Sequence, residues 1–145
     1  MASDSASSTR RMTGIAELDD SHDAFIRMAS RLSQAAATPM SADERDRLVP
    51  ELLQDTISTV TQHFVAEERL MKSYGYRAQD PDGFSDHLEA HADFTAEVCR
   101  IVCAMEQFTE DSLAQLCRML TDFSAAHSER HDLPFVRHVC ASAMN

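Results

Sequence analysis

Three glycines and four prolines in 145 residues leave little to punctuate a sheet, and no stretch shows the alternation of strands or the signals of a hairpin. The expected fold class is therefore all-α. No apolar run approaches the ~18 residues that a membrane span needs. Cations are scarce: 13 Lys and Arg stand against 24 Asp and Glu, for a net charge of −11. That balance disfavours nucleic acid, whose binding rests on Lys and Arg neutralising phosphates. The four cysteines include no CxxC pair, which argues against a zinc thiolate site. Their expected role is as small buried apolar side chains, in keeping with a reducing compartment. Arg10-Arg11 is followed by Glu17, Asp19 and Asp20 rather than by a hydrophobic stretch. No export signal is read there, and the expected location is cytoplasmic.

Hydrophobic residues make up 43% of the chain, enough for one ordinary domain with a real core. Residues 1–13 form a polar, Ser-rich segment expected to be disordered, 14–136 the folded domain, and 137–145 a C-terminal tail. The first helix is expected from about Asp19 to Ala37, burying Phe25, Ile26, Ala29 and Leu32 on the face of His22. Ser41 and Glu44 make a capping box that opens a second helix running to about Tyr74. Pro50 should kink that helix or split off its first turns, and Gly75 should stop it. Asp80-Pro81 starts a third helix that reaches about Gln107, with Phe84, Phe94, Val98, Ile101 and Met105 in phase. Thr109 caps a fourth, which carries Leu113, Leu116, Leu120 and Phe123 and should end or break near Asp132, ahead of Pro134. Short connections favour an antiparallel up-down-up-down four-helix bundle.

The chemistry is concentrated in histidine and carboxylate. His63 and Glu67 are four apart on a helix and point the same way, as do His87 and His91. His22 lies near the start of the first helix, and His127 and Asp132 near the end of the fourth. In an antiparallel bundle these seven residues meet at one level, on faces that are otherwise apolar. Polar groups there must be paired or coordinated. Five imidazoles and two acids pair poorly among themselves, so metal is the better reading; imidazole with carboxylate suits iron, zinc or manganese. Seven ligands exceed one ion. Two octahedral ions with two bridging carboxylates and a bridging oxide or hydroxide would leave one position vacant for a small molecule. On an ideal helix His127 and Asp132 are about 140° apart, so both face the site only if the helix unwinds between them. His131 is the alternative in better phase, but it cannot supply a bridging oxygen. Otherwise His131 and His138 are expected to face solvent.

Taken together, these motifs resemble a bacterial hemerythrin. The matching residues are Gly14-Ile15-x-x-Leu18-Asp19-x-x-His22, His63-Phe64-x-x-Glu67-Glu68-x-x-Met71 with Gly75-Tyr76, His87-x-x-x-His91-x-x-Phe94, and His127 with Asp132. The resemblance implies two irons in a four-helix bundle and reversible uptake of O2, or another small gas, at an open iron position. It implies that His87, His91 and His127 hold one iron, that His22 and His63 hold the other, and that Glu67 and Asp132 bridge. Phe123 stands where many members have Trp, and Ser128 where Ile is common, which bears on the shape of the pocket. Phe25 and Phe64 are the expected walls of an O2 pocket. The competing functions are a di-iron oxidase, peroxidase or nitric oxide reductase, and a sensor or iron buffer. A histidine-rich ligand set argues for binding rather than for the enzyme. A protein partner is not identified by the sequence, although the tail after Phe135, with His138 and Cys140, could contact one.

Overall fold

A computed structural model describes residues 13–104 and 109–143. Among them every regular element is helical: α1 (Ala16–Ala37), α2 (Ala42–Ser73), α3 (Tyr76–Gln79), α4 (Pro81–Ala104), α5 (Glu110–His127), a π turn (Ser128–Asp132) and α6 (Leu133–Ala143). The expectations for residues 1–12, Met105 and the end of the third helix lie outside the described residues. No described helix is long and apolar enough to cross a membrane.

The helix ends follow local chemistry. Ser41 Oγ accepts from Glu44 N while the Glu44 carboxylate accepts from Ser41 N, which satisfies two orphan donors of α2. Thr109 and Ser112 make the same reciprocal pair at the start of α5. Gly75 adopts φ 71°, the left-handed conformation that ends α2, and the chain re-enters helix as the short α3. At the start of α1 the Asp19 carboxylate accepts from both the backbone N–H and the hydroxyl of Thr13, tying that residue to the helix.

α1 packs on α2 and α5, and α2 packs on α4. Two apolar clusters result. The larger holds Phe25 and Leu32 of α1, Val60 and Phe64 of α2, Phe94 and Val98 of α4, and Leu116 and Leu120 of α5. The smaller holds Leu18, Leu70, Met71, Phe84 and Phe135. In sequence, the site histidines and carboxylates other than His63 fall between residues that join one cluster and residues that join the other, and His63 immediately precedes Phe64 at the edge of the larger cluster. The polar layer is therefore held between two hydrocarbon slabs.

Two expectations need correction. Ile26 is 46% exposed, because α1 turns Leu18, Phe25, Met28 and Leu32 inward and Ile26 follows Phe25 about 100° round. Cys99, Cys103 and Cys140 are exposed, and only Cys117 is half-buried, its thiol donating to the Ala29 carbonyl. On α4 the inward positions belong to Val98 and Ile101, which leaves Cys99 and Cys103 outside. Near Asp132, where an end or a break was expected, the break occurs as the π turn and the end does not, since helix resumes and runs past Pro134 to Ala143.

Pro50 lies inside α2, which is uninterrupted, and it is solvent-exposed. It removes one donor from the helix but sits about 20 Å from His63 along the axis. Pro50→Ala is expected to stabilise the fold by about 1–2 kcal/mol once the entropy that proline removes from the unfolded chain is offset. Metal binding should not change. Calorimetry and metal titration of the two proteins check this.

Candidate metal centre

The structure brings all seven sequence-selected residues into one layer. His63, Glu67, His87, His91, His127 and Asp132 are buried, and His22 is the most open, its side chain 18% exposed. His127 Nε2 lies 2.9 Å from His87 Nε2 and 3.0 Å from His91 Nε2. Hydrogen bonds cannot account for such a cluster, since each neutral imidazole offers one proton and one lone pair. Two nitrogens bound at right angles to one ion at ~2.1 Å lie ~3.0 Å apart, whereas a tetrahedral pair lies ~3.4 Å apart. The nitrogens are thus close enough for all three imidazoles to be held by one ion.

Glu67 turns Oε1 towards His87 Nε2, at 2.9 Å, and Oε2 towards His63 Nε2, at 3.2 Å. Asp132 turns Oδ1 towards His87 and His127, at 3.3 and 3.2 Å, and Oδ2 towards His22, at 3.1 Å. Each carboxylate therefore offers one oxygen to each half of the layer. Both oxygens of Glu67 and Oδ1 of Asp132 are buried without an aligned hydrogen bond, although nitrogens stand this close. Donors and acceptors converge on shared space instead of on one another. Such orphaned atoms are what a metal would satisfy, and the residues fit a pair of ions. Potential ion-holding groups form around Glu67 with His87, His91 and His127, and around Glu67 with His22 and His63.

The winding between His127 and Asp132 explains how both reach the layer. The backbone N–H of Leu133 donates to the carbonyl of Ser128, five residues back. A π turn takes one residue more than an α turn, so Asp132 occupies the phase that the fourth residue would hold in an α-helix. His131 is half-buried beside the layer, not solvent-facing, with its ring centre 5.3 Å from that of His87 and 5.1 Å from that of His127. His138 is half-buried too, and its Nε2–H donates to the Tyr74 carbonyl.

The aromatic walls differ from the sequence expectation. A cavity bounded by His22, His63, His127 and Asp132 is further lined by Phe25, Phe123, Ser124 and Ser128 and has about 10 Å³ of space for the centre of a water-sized molecule. That is room for about one such molecule. Phe64 does not line it, because its ring lies flat on His91, centroids 4.0 Å apart, on the three-histidine side. Phe123 stacks instead on both His127 and Phe94.

Sequence reasoning also missed the outer partners. Ser21 Oγ lies 2.5 Å from His63 Nδ1, and Glu68 Oε1 lies 3.0 Å from His91 Nδ1. Glu68 was legible as part of the motif, but its target depends on how α2 packs on α4.

Charge in the metal-free layer is set by mutual pairing. Burial pushes the Glu67 carboxyl up, yet contacts with Asp132, His127, His63 and His87 outweigh it and hold Glu67 well below the usual range. Burial and Glu67 push Asp132 up, but His127 and His22 outweigh them and hold it low. Burial pushes His127 down, but the close carboxylates of Asp132 and Glu67 bring it up to about 9. Protons on His22, His87 and His127, all three raised by the nearby carboxylates, thus do the work of a cation. A raised histidine contributes stability that is complete below its unfolded value and is lost as pH rises through its folded one. For His127 that window is about 6.5 to 9, and the loss is on the order of 3 kcal/mol. Metal-free protein is therefore expected to melt lower at pH 9.5 than at pH 6.5, and metal-loaded protein to show little of this difference. Thermal scans at the two pH values test it.

An all-helical domain with a buried layer of imidazoles and two-sided carboxylates defines a cation-binding protein. The chain belongs to the hemerythrin family: the hemerythrin HHE cation-binding domain matches residues 13–136. No curated protein and no solved structure matches the chain.

Proposed function

We propose that the chain is a non-haem di-iron protein that binds O2 reversibly. In this reading α1, α2, α4 and α5 form an antiparallel up-down-up-down four-helix bundle. His87, His91 and His127 hold one iron, His22 and His63 hold the other, and Glu67 and Asp132 bridge them together with an oxide or hydroxide. When bound in the ferrous state, the two ions supply the electrons that O2 needs to be held reversibly.

The observation that carries the reading is the small cavity on the two-histidine side. It is lined by both histidines of the half with fewer nitrogens, with His127 and Asp132 also on its wall, and its volume suits O2 or another small gas rather than an organic substrate. Phe25 and Phe123 present hydrocarbon to it and limit water. Burial of the layer between two apolar clusters supports the same conclusion. Four free cysteines are in keeping with a cytoplasmic location.

Anaerobic iron loading is expected to give about two irons per chain. The loaded protein should gain a visible band on exposure to oxygen and lose it on flushing with argon. One iron per chain, or a clear preference for zinc in cells, sinks the di-iron reading. Continuous turnover of O2 or nitric oxide with a reductant would move the protein to the oxidase or nitric oxide reductase class. Iron binding without any reversible band would favour a sensor or an iron buffer.

A further inference from the structure

The outer nitrogens of the buried histidines are treated unequally. Nδ1 of His87 and Nδ1 of His127 have no hydrogen-bond partner. His63 Nδ1 meets a neutral hydroxyl, that of Ser21. His91 Nδ1 meets a carboxylate, that of Glu68, at 3.0 Å. Glu68 reaches it across the α2–α4 interface from a groove of about 440 Å³ whose other walls include Phe64, Val65 and Leu88. Its side chain is 29% exposed while that of His91 is 3% exposed, so the carboxylate links solvent to the layer.

Two effects follow from this contact. An acceptor at Nδ1 fixes the proton there and leaves the Nε2 lone pair turned to the centre. A full negative charge at that acceptor also pushes electron density through the ring on to Nε2, and the apolar groove walls strengthen the effect by lowering the local dielectric. The stacked Phe64 ring holds the imidazole plane.

We infer that Glu68 is a positioning residue for His91, which sets its tautomer and makes it the strongest electron donor of the three-histidine half. This rests on the metal-binding reading above. The half that contains His91 thereby gains a hydrogen-bonded carboxylate behind one of its rings, where His63 of the other half meets the neutral hydroxyl of Ser21.

The test uses full-length protein loaded with ferrous iron, in wild-type form and as Glu68→Gln and Glu68→Ala. Two quantities are read: the rate of iron loss to excess chelator, and the midpoint potential of the bound iron. Glu68→Ala should lose iron about 10- to 100-fold faster, the usual cost of removing an outer partner. Glu68→Gln keeps an oxygen acceptor but not the charge. It should retain iron nearly as wild type does, yet show a midpoint potential shifted upward. Wild-type rates and potential in both variants would overturn the inference while leaving the di-iron reading intact. A wild-type chain that binds no iron overturns both. If Glu68→Ala does not fold, Glu68→Gln still decides through its potential.

Discussion

Glu67→Ala is expected to abolish the metal pair. Glu67 is fully buried, and its two oxygens face different histidines, His87 at 2.9 Å and His63 at 3.2 Å. Alanine removes an oxygen donor from each half at once, and among the described residues only Asp132 also presents an oxygen to both. The loss should exceed the ~10- to 100-fold that removal of an outer partner costs. Iron bound per chain should fall from about two to one or fewer. In the metal-free protein the same change strips the counter-charge from protonated imidazoles, a cost of about 3–5 kcal/mol. Asp132→Ala should behave alike in metal binding, whereas His131→Ala should leave iron content unchanged. Elemental analysis of the three variants checks all of this. Loss of iron from His131→Ala, with retention in Asp132→Ala, would reverse the assignment at the π turn.

The second large effect is expected at Phe25. Its ring is 3% exposed, 5.2 Å from that of His63, and forms part of the cavity wall. Phe25→Ala should cost about 3–5 kcal/mol of stability, since a buried aromatic is replaced by a void. It should leave the iron content at about two per chain, because no ligand is touched. The void admits water, which carries protons to a region that Phe25 keeps dry. The oxygen-dependent band should still form but decay to the irreversibly oxidised protein faster, and Phe25→Leu should lie between. Stopped-flow spectra followed by argon flushing measure this. An unchanged decay rate in Phe25→Ala would remove Phe25 from the pocket.

Why some features were legible and others were not follows from which physics sets them. His63/Glu67 and His87/His91 were readable because an α-helix fixes the direction of residues four apart. The caps at Ser41 and Thr109 were readable because they are local. That Phe64 stacks on His91 and does not line the small cavity was not legible, because stacking across to α4 is a tertiary event. Glu68 is one residue after Glu67, turned about 100° on the same helix, and only the packing of α2 against α4 gives it a target. Cys99 was misread because a short apolar side chain beside a core position carries no sign of its own facing. The break between His127 and Asp132 was expected from Pro134, but the hydrogen-bond register that makes it a π turn is invisible in composition.

That register has a consequence for how the chain tolerates changes in length. In an ordinary helix, deleting one residue turns every later side chain by about 100°. Here the turn from Ser128 to Asp132 already carries one surplus residue, like an inserted letter that the reading frame has absorbed. Removal of exposed Glu129 or Arg130 would let the helix close with α winding, keeping the aspartate carboxylate and Phe135 in phase with His127. Only Pro134 opposes it, since its ring would press on the carbonyl four residues earlier. Deletion within this turn, and not elsewhere in the helix, is thus expected to keep the last stretch of the domain aligned, at the local cost that Pro134 imposes.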